Sequence, residues 1–298
     1  MAMNVLVTGS HGLIGSAVAE TLQHDGDSVR RLVRSAPTGG SEFRWDPARG
    51  HIDERALDGL DAVVHLSGES VAGRWTASKK ERIVESRVNS TRLLSEALGK
   101  LARRPRVMVV ASAVGYYGDR GEETLTEASG PGSGFLADVV KQWEAASAPV
   151  EEVGIRVVRT RFGIVLSPAG GALGTMLRPF RLGLGGKIGS GRQYMSWVAI
   201  DDVAGAIQRA LVDDSLSGPV NVVAPNPVTN QEFTRTLGAV LHRPTVLAVP
   251  APALRLALGE FATEVIGGAR VLPARLDAAG YEFRRPRLEG ALRHLLQH

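Results

Sequence analysis

The chain has 298 residues, of which 44% are hydrophobic and 22% are charged, and its formal net charge is +4. This length and composition fit a globular protein with a sizeable core, and they exclude a collagen-like chain, a coiled coil and a long disordered tail. Because the chain has no cysteine, disulfides, thiolate catalysis, Cys-ligated zinc and iron–sulfur clusters are also excluded.

Short apolar runs alternate with helical periodicity through the first half of the chain. The predicted helices cover 13–22 and 76–101, and the predicted strands cover 5–7, 29–33, 61–66, 107–111 and 155–158. The strands are continuously apolar, which is typical of a parallel sheet covered on both faces. Strands that alternate with helices predict an α/β fold with a Rossmann-type doubly wound parallel sheet.

The sequence changes character after residue 166. Eight glycines lie within 167–191, and a predicted strand over 194–200 and a predicted helix over 201–212 follow them. A late strand is predicted over 220–223, and the chain is rich in helix from Thr229 onward. We therefore predict a dinucleotide-binding domain from 1–166 plus about 196–225, and a smaller, partly helical substrate lobe from 167–195 plus 226–298.

Three glycines lie where the first predicted strand turns into the first predicted helix, in the spacing Gly-x-x-Gly-x-x-Gly. Gly9 permits a tight turn, Gly12 lets the backbone approach a pyrophosphate, and Gly15 lets the helix pack closely on the strand. The helix N-terminus adds free N–H groups and a positive dipole end. The predicted cofactor-binding residues here are Gly9, Ser10, His11, Gly12, Leu13, Ile14 and Gly15.

The end of the second predicted strand indicates which dinucleotide binds. A NAD site usually has an acidic residue there that binds the ribose 2′-hydroxyl. This strand ends in Leu32-Val33-Arg34 instead. An arginine favours a 2′-phosphate through charge-assisted hydrogen bonds. We predict NADP(H) as the cofactor, with Arg34 as the residue that selects it.

Further motifs are spread over nearly the whole chain. They include His65-Leu66-Ser67-Gly68-Glu69, Arg74-Trp75, Ser86-Arg87-Val88, Ser112-Ala113-Val114-Gly115-Tyr116-Tyr117-Gly118, Trp143-Glu144, Gly163-Ile164-Val165-Leu166, the glycine-rich 170–191 with Ser196-Trp197, and Ala279-Gly280-Tyr281. With the glycine loop, they resemble the extended short-chain dehydrogenase/reductases. The chain is most similar to an atypical branch, the sugar-epimerase-like NADP-dependent oxidoreductases with a family-specific C-terminal segment.

The resemblance implies roles for five more residues at the cofactor. Leu66, Ser67 and Gly68 would form the wall beside the adenosine ribose and the diphosphate. Arg87, where extended members commonly have asparagine, would bind a phosphate or hold a loop. Val165 would lie at the nicotinamide end.

The resemblance also raises a question about catalysis. Typical members combine Ser or Thr with Tyr-x-x-x-Lys, in which the tyrosine transfers a proton and the lysine lowers its pKa. The corresponding helix, over 134–144, has no tyrosine, and its Lys141 is expected to be solvated. The remaining candidates are Ser112 and Tyr116, although an alignment on Tyr117 would put Ala113 at the serine position. Glu69 is a further carboxylate candidate.

Two functions stay open on the sequence alone. One is an NADP-dependent oxidoreductase or epimerase of a small molecule, and the other is a non-catalytic NADP(H)-binding sensor or interaction protein. We expect no metal, because the seven histidines show no ligand spacing, and no nucleic acid, because the basic residues are scattered. With no apolar run of about 18–20 residues, we expect a cytoplasmic monomer or homodimer without a membrane partner.

Overall fold

A computed structural model describes residues 2–297. The helices are α1 Leu13–His24, α2 Ala77–Gly99, α3 Phe135–Ala145, α4 Ala148–Glu152, α5 Gly171–Arg181, α6 Ile200–Val212, α7 Asn230–Leu241, α8 Ala251–Leu258, α9 Phe261–Ile266, α10 Ala274–Ala278 and α11 Leu288–Leu296. The strands are β1 Asn4–Thr8, β2 Ser28–Val33, β3 Glu42–Asp46, β4 His51–Ile52, β5 Ala62–His65, β6 Val107–Ala113, β7 Thr124–Leu125, β8 Arg156–Phe162, β9 Ile164–Leu166, β10 Gly186–Ile188, β11 Tyr194–Met195, β12 Trp197–Ala199, β13 Gly218–Val222, β14 Val228–Thr229, β15 Leu247–Val249 and β16 Arg270–Val271.

The central sheet has eight strands within the described residues, in the order β13-β8-β6-β5-β1-β2-β3-β4. All neighbours are parallel except β4, which runs antiparallel to β3 at the edge. The predicted doubly wound parallel sheet is therefore confirmed. From β1, the chain adds strands in one direction through β2 and β3, and in the other direction from β5 through β6. In such sheets, ligands bind at the carboxyl ends of the strands where the direction changes, here between β1 and β5.

Both faces of the sheet are covered, as the apolar strands predict. Val5 and Val7 of β1 pack into one core cluster, which Val18 of α1 and Ile207 of α6 also join. Leu6, whose side chain points the other way, joins a second cluster with residues of α2 and α4. Every apolar residue of β1 is thus buried. This burial holds the carboxyl end of β1, from which the first loop emerges, in a fixed position.

The predicted strand over 194–200 is instead two separate strands. It breaks at the buried Ser196, whose side-chain oxygen donates to the carbonyl of Ala269 and accepts from the N–H of Val271. β11 pairs with β14 and β12 pairs with β9, because the chain changes partners at this serine. The break thereby attaches the C-terminal segment to the rest of the molecule.

A third core cluster lies beyond the central sheet. Trp197 and Phe180 are buried in it, together with apolar residues of α7 and α11. Farther along the chain, Phe261 of α9 contacts the ring of Trp75, with their centroids 5.5 Å apart. None of the helices within residues 2–297 is long and apolar enough to cross a membrane.

Candidate functional site

A cavity of about 640 Å³ opens at the carboxyl ends of β1, β2 and β5. Its wall comes from the loop after β1, the end of β2, the end of β3 with the residues after it, the loop after β5 and one side of α2. The lining residues are Gly9, Ser10, His11, Gly12, Leu32, Val33, Arg34, Ser35, Trp45, Asp46, Pro47, Ala48, Leu66, Ser67, Gly68, Glu69, Arg82, Glu85, Ser86, Asn89 and Ser90.

The loop after β1 needs glycine for steric reasons. Gly9 has φ +67°, and a Cβ there would lie 2.8 Å from the backbone of Leu66. A Cβ on Gly15 would lie 2.1 Å from the Gly9 carbonyl oxygen, so any side chain at this position would push α1 away from the loop. The sequence roles of these two glycines, a tight turn and close packing, match this geometry.

The first turn of α1 presents hydrogen-bond donors to the cavity. It begins after Gly12, has no acidic residue, and receives no side-chain cap. The side chain of Ser10 is buried, and its Oγ has no hydrogen-bond partner within residues 2–297. A buried hydroxyl without a partner beside unsatisfied helix N–H groups fits an anionic ligand such as a diphosphate.

Arg34 lies on the cavity wall at the end of β2, and its side chain is exposed. Its charge is close enough to act on Glu69 across the cavity. The hydrogen bond from Lys79 holds the pKa of Glu69 below its ordinary value, and the charges of Arg82 and Arg34 act in the same direction. Because Lys79 lies 2.9 Å from Glu69, this carboxylate is already neutralised and leaves the charge of Arg34 available.

A buried histidine fixes the relative positions of three cavity elements. His65, at the end of β5, contacts Thr8 Oγ1 at 2.8 Å through Nδ1 and Thr91 Oγ1 at 3.0 Å through Nε2. Burial lowers the pKa of His65 to about 3, so its ring is neutral at pH 7. The N–H of Leu66, the next residue, donates to Thr8 Oγ1. This neutral ring therefore ties the loop after β5 to β1 and α2.

Ser112 lies at the end of β6 in a buried polar network. Its Oγ donates to Glu144 Oε1 at 2.6 Å, and Arg161 donates to both oxygens of the same carboxylate at 2.8 Å. Burial alone would lower the pKa of Arg161, but its hydrogen bonds to Glu144 and the charge of that carboxylate outweigh it and raise the pKa. We call Ser112, Glu144, Arg161, Tyr117 and Asn221 the Ser112 network.

The two neighbouring tyrosines have different surroundings. Tyr117 is fully buried, and its hydroxyl accepts from Arg161 and donates to Asn221. Tyr116 is half-buried, and its ring lies under the Arg161 guanidinium, with 3.5 Å between Cζ and the ring centroid. No hydrogen bond within the described residues uses the Tyr116 hydroxyl. Tyr116 therefore keeps a free phenol at this place, whereas the Tyr117 phenol is bonded on both sides.

Comparison with known proteins places the chain in a family. The model of the NAD dependent epimerase/dehydratase family matches residues 5–223, and the Domain of unknown function (DUF1731) matches residues 249–295. The chain belongs to the NAD dependent epimerase/dehydratase family. This confirms the resemblance to extended short-chain dehydrogenase/reductases with a distinct C-terminal segment.

Similar members of the family are found in distant organisms. Epimerase family protein Mb2239 of Mycobacterium bovis is 43% identical over 97% of this chain and 96% of its own length. YfhF of Bacillus subtilis is 37% identical over 99% and 98%. The crystal structure of human epimerase family protein SDR39U1 with NADPH is similar at a TM-score of 0.92 and 35% identity, over 99% of this chain and 100% of that one.

The cavity brings together most of the cofactor-binding residues predicted for this family member. Gly9, Ser10, His11, Gly12, Arg34, Leu66, Ser67 and Gly68 line it, whereas Leu13, Ile14, Gly15, Arg87 and Val165 do not. A Cβ on Gly171 would lie 3.3 Å from Leu13 Cδ2 and 3.7 Å from the Val165 oxygen. Leu13 and the carbonyl of Val165 thus both lie close to Gly171, at the start of α5.

Arg87 lies behind the cavity wall. A Cβ on Gly68 would lie 3.3 Å from its Cζ, and its guanidinium is 5.0 Å from the ring centroid of Trp143. Burial lowers the pKa of Arg87 to about 10, which leaves it charged at pH 7. It makes no ion pair within residues 2–297, its Nη1 donates to the carbonyl of Ile83, and the charge of Glu69 acts on it, so it can face an anion or brace the loop after β5.

The helix that has lost the family's usual tyrosine offers no replacement. Lys141 is exposed and pairs with Asp138 on the same helix. Phe135 stacks edge-on against Trp75, with centroids 4.9 Å apart. The side of α3 that faces the sheet contributes only Glu144 to the Ser112 network, which agrees with the expectation that Lys141 is a solvated residue.

Sequence reasoning missed two groups of residues at this site. Part of the cavity wall is formed by Trp45 and Asp46, the last residues of β3, and by Pro47 and Ala48 after it, but the charged residues of β3 hid this strand from the sequence prediction. Glu144, Arg161 and Asn221 form the Ser112 network from three different elements. A buried acid and a buried arginine in otherwise apolar stretches are the signal that could have found this pair.

Proposed function

We propose that this protein is an NADP(H)-dependent oxidoreductase or epimerase of a small molecule. The carrying observation is the cavity at the end of β1, where the glycine loop, the partnerless Ser10 Oγ and the free charge of Arg34 lie together. The crystal structure of human SDR39U1 with NADPH, which shares the fold over its whole length, supports the same cofactor.

The proposal assigns each part of the cofactor to a part of the wall. The diphosphate would lie on Gly9–Gly15 and the first turn of α1, between Ser10 and the loop over 66–68. The adenosine would lie between the end of β2 and the segment from Trp45 to Ala48, with its 2′-phosphate on Arg34. Arg87 and Val165 would bound the nicotinamide half from behind the loops.

The domain division predicted from the sequence indicates where the substrate would bind. Residues 1–166 and about 196–225 would hold the cofactor, and 167–195 with 226–298 would form the substrate lobe. Ser196 and its bonds to Ala269 and Val271 lie at the junction. The substrate would therefore bind near the C-terminal segment, next to the turn that carries Tyr116.

The chemistry would use two side chains of this chain. A bound nicotinamide supplies or accepts the hydride. Tyr116, whose hydroxyl is free, would give a proton to the substrate oxygen during reduction and take it back during oxidation. Ser112 donates its own hydrogen to Glu144, so its oxygen is oriented to accept a hydrogen bond from a substrate hydroxyl.

Turnover tests this assignment. NADPH oxidation and epimerised products would be followed over a panel of carbonyl compounds and sugar nucleotides, with Ser112→Ala, Tyr116→Phe and the exposed control Ser217→Ala. We expect Ser112→Ala and Tyr116→Phe each to lower kcat about 100-fold, and Ser217→Ala to leave it unchanged. Activity that is insensitive to both changes would contradict the catalytic roles of Ser112 and Tyr116.

The second candidate function is a non-catalytic NADP(H)-binding sensor or interaction protein. The observation that favours it is the absence of a tyrosine from α3, where the only lysine is exposed and paired. Both candidates bind NADPH, so cofactor affinity does not separate them. Absence of turnover across the whole panel, together with NADPH-dependent binding of a partner, would support the sensor.

A further inference from the structure

The guanidinium of Arg270 has no hydrogen-bond acceptor among the described residues. This residue is half-buried in β16, and its Nε is inaccessible to solvent and has no hydrogen-bond partner within residues 2–297. Within residues 2–297, Arg270 also makes no ion pair with a carboxylate. The Nε of Arg285 is buried and unpartnered in the same way, but its Nη2 contacts His294, and Arg161 is bonded to Glu144.

An aromatic ring holds the Arg270 side chain in place. The Cζ atom lies 5.3 Å from the ring centroid of Tyr194 in β11. Stacking of this kind fixes the plane of a guanidinium and leaves its edge free for two parallel hydrogen bonds to a carboxylate or phosphate. Because Nε is inaccessible to solvent, an oxyanion would bind the two Nη groups, which make no hydrogen bond within residues 2–297.

The backbone around Arg270 is fixed against the turn that carries Tyr116. Ala269 packs on the cluster that contains Tyr117 and includes Tyr116 at its border, and Val271 is buried in the same cluster. The carbonyl of Leu272 accepts from Asn221, whose Oδ1 accepts from Tyr117. Hydrogen bonds therefore connect this stretch of the C-terminal segment to the Ser112 network.

The groups around Arg270 show what its side chain faces. Because alternate residues of a strand point to opposite faces, Arg270 points away from the cluster that holds Ala269 and Val271, toward Tyr194. Nearby, Asp119 Oδ1 accepts from the N–H groups of Gly121 and Gly268, and Asp119 makes no ion pair with Arg270 within residues 2–297. Arg270 therefore has a charge without an ion-pair partner in the described part of the chain, between two residues that contact the cluster of Tyr116.

We propose that Arg270, stacked on Tyr194, is the receptor for an oxyanion of the substrate, either a carboxylate or a phosphate. The inference rests on the proposed NADP(H)-dependent function and gives it a substrate class, a small acidic molecule. The C-terminal segment supplies the charge that holds the acidic group, and Ala269 and Val271 on either side of Arg270 contact the cluster that includes Tyr116.

Calorimetric titration of the NADPH-loaded protein with malonate and with inorganic phosphate tests this subsite. Loading with NADPH first occupies the cavity, so that Arg34 does not capture the probe. We expect Arg270→Gln to weaken binding of the preferred probe about tenfold or more, and Arg270→Lys to recover part of it. Arg255→Gln, which removes an exposed arginine of α8, is the matched control and is expected to bind as the wild type does.

The two probes distinguish the sources of the oxyanion. Tighter binding of malonate identifies a carboxylate substrate, and tighter binding of phosphate identifies a phosphorylated one. Equal binding by wild type and Arg270→Gln, an equal loss in Arg255→Gln, or no binding of either probe to the wild type would overturn the proposal. NADPH affinity is measured for each variant, and its retention in Arg270→Gln shows that the variant is folded. Failure of NADPH to bind the wild type would instead contradict the cofactor proposal.

Discussion

The cavity and the Ser112 network differ in whether their polar groups have hydrogen-bond partners within the protein. In the cavity, Ser10 Oγ has no hydrogen-bond partner within residues 2–297 and Arg34 is exposed, so both groups remain available to a ligand. In the network, Ser112, Glu144 and Arg161 satisfy one another and are largely shielded from solvent. The first region leaves polar groups unpaired for a ligand. The groups of the second bond one another and support the Tyr116 turn, and only the oxygen of Ser112 is left as the proposed acceptor for a substrate hydroxyl.

The largest expected effect comes from closing the glycine loop. Gly15→Val puts a side chain where even a Cβ would lie 2.1 Å from the Gly9 oxygen. We expect it to destabilise the fold by about 5 kcal/mol and to abolish NADPH binding. Gly39→Ala is the control, because a Cβ there meets nothing within 4 Å. Denaturant unfolding and NADPH fluorescence would check both, and normal binding by Gly15→Val would contradict the role of the loop.

The Ser112 network predicts the next largest effect. Glu144→Gln keeps the size of the side chain but leaves the buried Arg161 without its counter-charge. We expect a loss of about 3–5 kcal/mol in the free energy of unfolding, with NADPH affinity retained. Glu151→Gln, in the more exposed pair with Arg159, is expected to cost about 1 kcal/mol or less. A similar loss of unfolding free energy in both variants would show that the buried Glu144–Arg161 pair matters no more to stability than the exposed pair.

His65 makes the support of the cavity sensitive to acid. Its pKa is about 3 in the folded protein and 6.5 in its ordinary state, so the unfolded chain binds a proton between these values that the folded chain does not. Stability is therefore fully present above pH 6.5 and falls as the pH drops toward 3. We expect about 2 kcal/mol of the loss between pH 7 and pH 5 to come from this residue. Thermal unfolding of His65→Gln checks this, and the same pH dependence as in the wild type would refute it.

The smallest expected effect concerns Lys141. This lysine is exposed and pairs with Asp138 three residues away. Lys141→Ala should change stability by about 0.5 kcal/mol or less and leave turnover unaltered. A large fall in kcat would mean that Lys141 of α3 takes part in catalysis and that the Ser112 network is not the only part of this region with a catalytic role.

Local sequence was enough to predict the cavity's central part. The turn at Gly9, the packing at Gly15 and the position of Arg34 at a strand end depend only on residues within one strand–helix–strand unit. The α/β fold followed from apolar strands and helical periodicity for the same reason. The strand break at Ser196 was missed, because a serine in an apolar run does not reveal that its hydroxyl bonds the distant Ala269.

Contacts between distant segments account for the rest. Glu144, Arg161 and Asn221 meet because β8 lies between β6 and β13, and this strand order is not written in any one segment. Trp45 reaches the cavity through β3, whose charged residues mask the strand. Arg270 gains its significance only from its stacking on Tyr194, 76 positions earlier in the sequence.

The affinities for NADPH and NADH, measured side by side by fluorescence titration, test the cofactor assignment most directly. Arg34 predicts that the wild type binds NADPH at least about tenfold more tightly than NADH, through the 2′-phosphate. Arg34→Gln should remove most of this preference without weakening NADH, and Arg235→Gln, an exposed arginine of α7, should keep it. Equal or tighter binding of NADH by the wild type would contradict the assignment of this cavity to NADP(H).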